Sequence, residues 1–230
     1  MKALSLHWVK IILVVTLLAM LVGGAWFYRS QERVMQAKVQ GDLLAVARLK
    51  ANQISAWRKD QLDDAAAIQD QAFLVQSVTR FFADSSPGNE QDLRARLRNL
   101  ARQHNLTDIL LVDPTGNDHL SLSGPLHQHS GYKAVLATAL REQVPEFIDL
   151  HTEAQAPKPH LAVIVPLLFS AGQSRTPLGA LILVYDASRF LYPLIEFWPT
   201  QSKTAETLIV RRNGDHVTFL NALRYRPPGP

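Results

Sequence analysis

The sequence contains no cysteine among its 230 residues. This absence excludes disulfide bonds, thiolate metal sites and a cysteine nucleophile. It does not identify a cellular compartment, because many proteins of oxidising compartments also lack disulfides. The chain also has no phosphate-cradling glycine loop with a lysine, no H-E-x-x-H motif and no glycine-flanked serine of a nucleophile elbow. We therefore predict no catalytic residues, no cofactor and no enzymatic activity for this chain.

Charge of one sign is not concentrated anywhere in the sequence. The 24 Lys and Arg residues are interleaved with 20 Asp and Glu residues, for a net charge of +4. A nucleic-acid-binding protein would gather its basic residues into a patch or stripe, so we predict no nucleic-acid partner. His119, His127 and His129 lack a carboxylate at a fixed helical spacing, and we predict surface histidines and no metal site.

A long uncharged segment is present at Ile11–Phe27, with 17 residues and no charge. The distance between the flanking Trp8 and Trp26 would be about 27 Å in a helix, which matches a bilayer core. The segment predicts a single membrane-spanning helix whose partner is the lipid bilayer. A cleaved secretory signal is the alternative, because Lys2 and Lys10 supply a basic start and small residues follow the apolar stretch. The charges on the two sides do not determine the orientation.

Proline and glycine are scarce in the next segment, Arg29–Phe82, which has no proline and only Gly41. Apolar residues recur there at intervals of three and four, which predicts a long amphipathic helix or two collinear helices. Helices of this length usually pack against a partner. We expect that partner to be the chain's own globular domain, a second copy in a homodimer, or both.

The pattern beyond this helix predicts an α+β domain. A shorter helix is expected at Glu90–Gln103 and another at Gly131–Gln143. Period-two alternation and short apolar runs predict five strands, with loops at 157–159 and 172–177 between the last three. Together they form a PAS-like antiparallel sheet with the long helix packed behind it. The five strands are Asp108–Asp113, His119–Ser123, Glu146–Thr152, His160–Ser170 and Leu178–Tyr185.

The final segment predicts a helix at Asp186–Phe197 and then a β-hairpin. Its strands are Thr207–Arg212 and Asp215–Asn221, joined by Asn213-Gly214 in a type I′ turn. Two strands cannot bury a core alone, so we interpret them as the start of a truncated second subdomain. The predicted organisation is 1–28 for the N-terminus and membrane helix, 29–104 for the long helix and the second helix, 105–199 for the PAS-like subdomain and 200–230 for the start of the truncated second subdomain.

Three stretches resemble the periplasmic double-Cache sensor regions of bacterial membrane-bound sensor histidine kinases and diguanylate cyclases. They are NQISAWRKDQLDDAAAI at Asn52–Ile68, ILLVDPTG at Ile109–Gly116, and Leu178–Arg226. The resemblance implies a single-pass protein of the bacterial inner membrane with a cytoplasmic N-terminus and a periplasmic domain. It implies sensing of a small molecule for signal transduction, as in two-component systems. The kinase phosphoacceptor box and the cyclase GGDEF motif are absent from the sequence.

Four residues at the ends of predicted elements are candidate ligand contacts: Asp186, Tyr132, His160 and Tyr185. The amino-acid-binding subset of the family uses an R-x-W-Y cluster that Gly131–Phe147 lacks, but Asp186 falls where that subset places a carboxylate toward its ligand. Asp186 would also suit the N-cap of the following helix, and we favour that role. The function predicted is a small-molecule sensor region. The alternatives are a membrane-anchored adaptor that binds another protein and, last, a membrane-bound enzyme.

Overall fold

The computed structural model describes residues 2–123, 132–151, 159–171, 174–199 and 205–221. The helices in these ranges are α1 Lys2–Gln69, α2 Ala72–Ala83, α3 Pro87–Gln103, α4 Lys133–Glu142 and α5 Leu191–Glu196. The strands are β1 Asp108–Val112, β2 Asp118–Ser121, β3 Glu146–His151, β4 His160–Ala171, β5 Ser174–Asp186, β6 Val210–Asn213 and β7 His216–Phe219.

The chain divides into two compact units, Met1–Asn52 and Gln53–Pro230. The first unit consists of the N-terminal part of α1. Its apolar side chains between Ile11 and Phe27 are exposed, and by length and composition this part of α1 could cross a membrane. The helix continues through residues 28 and 29 without a break, because nothing in the sequence there ends a helix.

The second unit contains the predicted five-stranded antiparallel sheet, in the order β2-β1-β5-β4-β3. The two apolar runs β4 and β5 lie at its centre and pair along their whole length, from His160 opposite Asp186 to Ala171 opposite Ser174. Nearly every residue of β4 between His160 and Leu168 is buried, as expected of a strand covered on both faces. The predicted fold class is confirmed.

Each face of the sheet carries its own apolar core. On one face, Ile109 and Val163 pack with buried side chains from the end of α1, from α2 and from α3. On the other face, Leu110, Ala162 and Ile182 pack with α4. Successive strand residues alternate between the two cores because strand side chains have a period of two. We call these the α1 face and the α4 face.

The predicted long helix is interrupted near its C-terminal end. α1 ends at Gln69 and α2 begins at Ala72, because Gln71 has an extended backbone with φ −74° and ψ 96°. α2 then buries Leu74, Val78 and Phe81 in the core of the α1 face. α3 begins three residues before the predicted start, at Pro87, since proline suits the first turn of a helix.

The prediction of a loop at 172–177 is wrong for residues 174–177, which belong to a strand. β5 begins at Ser174 and runs through Pro177, which lies opposite Leu168 at a register shift next to Leu167. An irregularity of this kind accommodates a residue without a backbone N–H, so the proline did not end the strand. Gly131, Thr152 and the 157–158 part of the other predicted loop lie outside the described residues.

The C-terminal hairpin is present but shorter than predicted, and its turn lies one residue later. Asn213 pairs with His216, so the turn residues are Gly214 and Asp215. Gly214 has φ +58° while Asp215 is not at positive φ, which excludes the predicted type I′ turn. The hairpin is joined to α5 by the Tyr192 hydroxyl, which donates to the Leu220 carbonyl at 2.7 Å.

Candidate functional site

Three of the four predicted ligand contacts come together at one end of the α4 face. His160 begins β4 and lies directly opposite Asp186, the last residue of β5. Alternation places both side chains on the α4 face, because Leu161 and Tyr185 belong to the opposite core. Tyr132, just before α4, has its hydroxyl 3.2 Å from His160 Nε2. We call Tyr132, His160 and Asp186 the sheet-end cluster.

The members of the sheet-end cluster differ in exposure. Tyr132 is 2% exposed and His160 is 8% exposed, while the Asp186 side chain keeps 19% of its surface accessible. A buried tyrosine and histidine in contact hold each other in a fixed orientation. The cluster therefore combines a rigid buried pair with a carboxylate that solvent or a ligand can reach.

Asp186 does not form the predicted helix N-cap. α5 begins five residues later, at Leu191, and no side chain caps it. Asp186 Oδ1 instead accepts hydrogen bonds from the backbone N–H of Ser188 at 2.8 Å and from its hydroxyl at 2.6 Å. Such local bonds favour a turn over a helix, which explains why the predicted helix at Asp186–Phe197 starts late. Arg189 Nε lies 3.9 Å from Asp186 Oδ2.

Tyr185, the fourth predicted contact, lies on the α1 face and away from the cluster. Its ring meets the edge of Trp57 at 6.1 Å between centroids, and Trp57 also stacks on Phe190 at 4.7 Å. The Tyr185 hydroxyl is buried and has no hydrogen-bond partner among the described atoms. Burial, and secondarily the Asp64 carboxylate, raises the pKa of Tyr185. This aromatic cluster on α1 was not predicted, although Trp57 lies within the quoted motif at Asn52–Ile68.

His119, considered above for a metal, instead takes part in a turn between β1 and β2. Its Nε2 lies 3.1 Å from Asp113 Oδ2, and the carboxylate also accepts bonds from Thr115 and Asn117. Burial opposes ionisation of Asp113, but these hydrogen bonds outweigh it and hold the pKa of the carboxyl well below its usual value. His127 and His129 lie outside the described residues, within which no three potential metal ligands gather.

Sequence reasoning missed a second carboxylate near the sheet-end cluster. Asp108 begins β1 and lies opposite Val184, two residues before Asp186 in β5. Its oxygens accept hydrogen bonds from Ser121 Oγ at 2.9 Å and from the backbone N–H groups of Leu122 and Ser123. These bonds give Asp108 a structural role in closing the β1–β2 hairpin. No motif or spacing around Asp108, which follows a threonine at the start of a predicted strand, indicates this role.

Comparison with known proteins places the fold. No protein-family model and no curated protein matches the sequence. Among solved structures, the sensor domain of the histidine kinase DctB of V. cholerae is similar, with a TM-score of 0.54 and 14% identity over 75% of this chain and 62% of that chain. The chain therefore spans less than two thirds of the DctB sensor domain.

Two ligand-binding domains show weaker likeness. That of the Pseudomonas aeruginosa PAO1 amino acid chemoreceptor PctC, in complex with GABA, has a TM-score of 0.36 and 14% identity over 64% of each chain. That of Mlp24 with asparagine has a TM-score of 0.38 and 14% identity over 70% of each chain. The match to DctB, with a TM-score above 0.5, shows that this chain shares the fold of that sensor domain.

Proposed function

We propose that this chain is a membrane-anchored, extracytoplasmic sensor region that binds a small molecule and passes the signal across a membrane. Its output would belong to a sensor kinase or a diguanylate cyclase. The observation that supports this proposal best is the sheet-end cluster, where a buried Tyr132–His160 pair stands beside the accessible carboxylate of Asp186. Polar groups that converge at the end of an otherwise apolar sheet are typical of a ligand site.

The chemistry of the cluster favours a small polar ligand that carries a hydrogen-bond donor. A carboxylate such as Asp186 accepts hydrogen bonds, and it binds an ammonium or hydroxyl group more strongly than a carboxylate or phosphate. A ring nitrogen of His160 can donate or accept a hydrogen bond, depending on the tautomer. His160 could therefore bind either kind of group on the ligand. Tyr185 is not included in this proposed site, because it lies on the other face of the sheet.

The exposed apolar part of α1 supports the proposed membrane anchor. In our proposal Ile11–Phe27 spans the bacterial inner membrane once, with the N-terminus in the cytoplasm and the sensor fold in the periplasm. The proposed subdomains keep the boundaries 1–28, 29–104, 105–199 and 200–230. Ligand binding would favour one of two arrangements of the domain and move α1 relative to its partner in a homodimer.

The anchoring can be tested by carbonate extraction of bacterial membranes. We expect the full chain to stay in the membrane fraction. Its intact mass should show that residues 1–28 are still present. A variant carrying both Leu13→Arg and Leu18→Arg should be extracted, because each arginine at mid-bilayer costs about 2.5–3.5 kcal/mol. A control with Leu43→Arg and Leu44→Arg should stay. Extraction of the unmodified chain, or loss of residues 1–28, would contradict the anchor.

An exposed aromatic groove supports a second candidate function, that of a protein-binding adaptor. The groove has a volume of about 590 Å³ and lies between α2 and the β4–β5 hairpin. Phe73 is 77% exposed and Phe169 is 44% exposed along it. Exposed aromatic side chains of this kind are common at protein interfaces.

A thermal-shift screen separates the two candidates. The full chain in dodecyl maltoside is heated with amino acids, carboxylates, amines or nucleobases. A compound that binds only the folded state must raise the melting temperature. We expect amines or amino acids to do so, and Asp186→Asn to abolish the shift. If the chain melts cooperatively but no class shifts it, the sensor function is refuted in favour of the adaptor.

A further inference from the structure

A second groove lies on the α1 face of the sheet, opposite the sheet-end cluster. It has a volume of about 500 Å³ and lies between α1, the β3–β4 pair and the hairpin strand β6. Much of its lining is apolar, including Ile54, Phe147, Leu161 and Ile209. Three arginines line it as well, Arg58 from α1 and Arg211 and Arg212 from β6. We call it the arginine groove.

None of these guanidinium groups forms an ion pair with a carboxylate among the described residues. Arg58 has its guanidinium carbon 4.9 Å from the centre of the Phe147 ring, which orients the group by a cation–π contact. Arg211 donates to the backbone carbonyl of Leu150, and Arg212 Nε donates to that of Gly214 at 3.1 Å. Each guanidinium has five N–H donors, so the contacts made within the described part of the chain leave donors available in all three.

Among the described residues that line the arginine groove, the formal charge is positive even with the one acidic residue included. Asp149 also lines the groove and makes contacts of its own. Three arginines against one aspartate give a formal excess of positive charge on a mainly apolar surface. An apolar surface strengthens the attraction between a guanidinium and an anion, because less water screens it. A plain inorganic anion would leave the apolar lining uncovered.

We propose that the arginine groove binds a small organic anion with an apolar body. Its carboxylate or a similar group pairs with Arg58 and the β6 arginines, and its apolar body covers Ile54 and Leu161. The ligand would then contact α1, the sheet and the hairpin at once. This site is separate from the sensing site proposed above, because the two lie on opposite faces of the sheet.

The test is isothermal titration of 2-naphthoate into the full chain in dodecyl maltoside, with the heat of empty micelles subtracted. The neutral analogue 2-naphthylmethanol and inorganic phosphate serve as comparison probes. We expect one 2-naphthoate site, with the alcohol and phosphate each at least about tenfold weaker, since a charge-assisted hydrogen bond accounts for a factor of this size. Equal affinity for the alcohol, equal affinity for phosphate, or no binding of 2-naphthoate would overturn the proposal.

Substitutions locate the binding in the groove. Arg58→Gln and Arg212→Gln should each weaken 2-naphthoate binding about tenfold, and both residues are exposed enough for the fold to tolerate the change. Arg141→Gln is the matched control, because that arginine is 67% exposed and lies on α4 at the other face. An equal loss in Arg141→Gln would overturn the assignment to this groove.

Discussion

The turn that holds Asp113 yields a stability prediction with a defined pH dependence. Asp113 Oδ1 accepts from Thr115 N and Oγ1 at 2.8 and 2.6 Å and from Asn117 N at 3.0 Å. Oδ2 accepts from Asn117 Nδ2 and His119 Nε2, each at 3.1 Å. The substitution Asp113→Asn keeps one oxygen but replaces the other with an amide group, which donates and cannot accept. Two bonds are lost and three become neutral.

The magnitude follows from the values of such bonds. A hydrogen bond to a charged group contributes about 1.5–3 kcal/mol and a neutral one about 0.5–1.5 kcal/mol. The bonds share two oxygens in a short loop, and the Asp113 side chain is 22% exposed, so their simple sum is an upper limit. We expect Asp113→Asn to lower the free energy of unfolding at pH 7 by about 2–4 kcal/mol.

The difference between the two proteins should shrink in acid. The pKa of Asp113 lies lower in the folded chain than its unperturbed value of 3.8. Its contribution is therefore fully present above that unfolded value and is lost as the pH falls toward the folded pKa. Protonation of Asp113 lowers the stability of the wild type over this range, and the asparagine variant has no carboxylate there to protonate.

Urea unfolding of the full chain in dodecyl maltoside, followed by near-UV circular dichroism at pH 7, 5, 3 and 2, measures this difference. Asp92→Asn is the control, because Asp92 pairs with Arg96 at 3.0 Å with both side chains over 40% exposed. Such a pair contributes about 1 kcal/mol or less. A difference between wild type and Asp113→Asn that stays constant from pH 7 to pH 2 would refute the reasoning.

Two packing predictions use the same unfolding assay. Gly179→Ala should destabilise the fold by about 2 kcal/mol or more, because Gly179 has φ +151° and an added Cβ would lie 2.4 Å from the Val112 carbonyl oxygen. Gly88→Ala is the control: an added Cβ there meets nothing within 4 Å, so stability should change by less than about 1 kcal/mol. Trp57→Ala should lower the free energy of unfolding by about 3–5 kcal/mol, because it removes the aromatic contacts of Trp57. Phe73→Ala is its control and should lower it by about 0.5 kcal/mol or less, because Phe73 is 77% exposed. Equal effects within either pair would contradict the packing described here.

The sheet was predictable because its signals are local. The apolar runs of β4 and β5 and the change from helical spacing to period two are visible in the sequence. The ends of elements depended on contacts that sequence patterns do not contain. Asp70 and Gln71 interrupt the long helix without a proline or glycine, and the Asp186 contacts with Ser188 delay α5. In each case a local hydrogen bond or tertiary packing outweighed helix propensity.

The candidate site was predictable only in part. Asp186, His160 and Tyr132 lie at the ends of predicted elements; the pairing of β4 with β5 places His160 opposite Asp186, and Tyr132 contacts His160 from the start of α4. Tyr185 was included on the same grounds, but it precedes Asp186 in a strand and therefore faces the other core. The arginine groove joins Arg58 to Arg211, which are far apart in the sequence. No spacing rule links such residues before the fold is known.

The central claim is that the sheet-end cluster binds a small molecule, and nuclear magnetic resonance of the histidine side chains tests it most directly. The full chain, labelled at histidine, is titrated in dodecyl maltoside with amines, amino acids, carboxylates and nucleobases. The Cε1–H signal of His160 is assigned with His160→Gln, and exposed His216 in β7 is the internal reference. We predict that amines or amino acids move the His160 signal in a saturable manner while the His216 signal stays in place. A His160 signal that no compound class moves, or that moves only together with His216, would contradict the account.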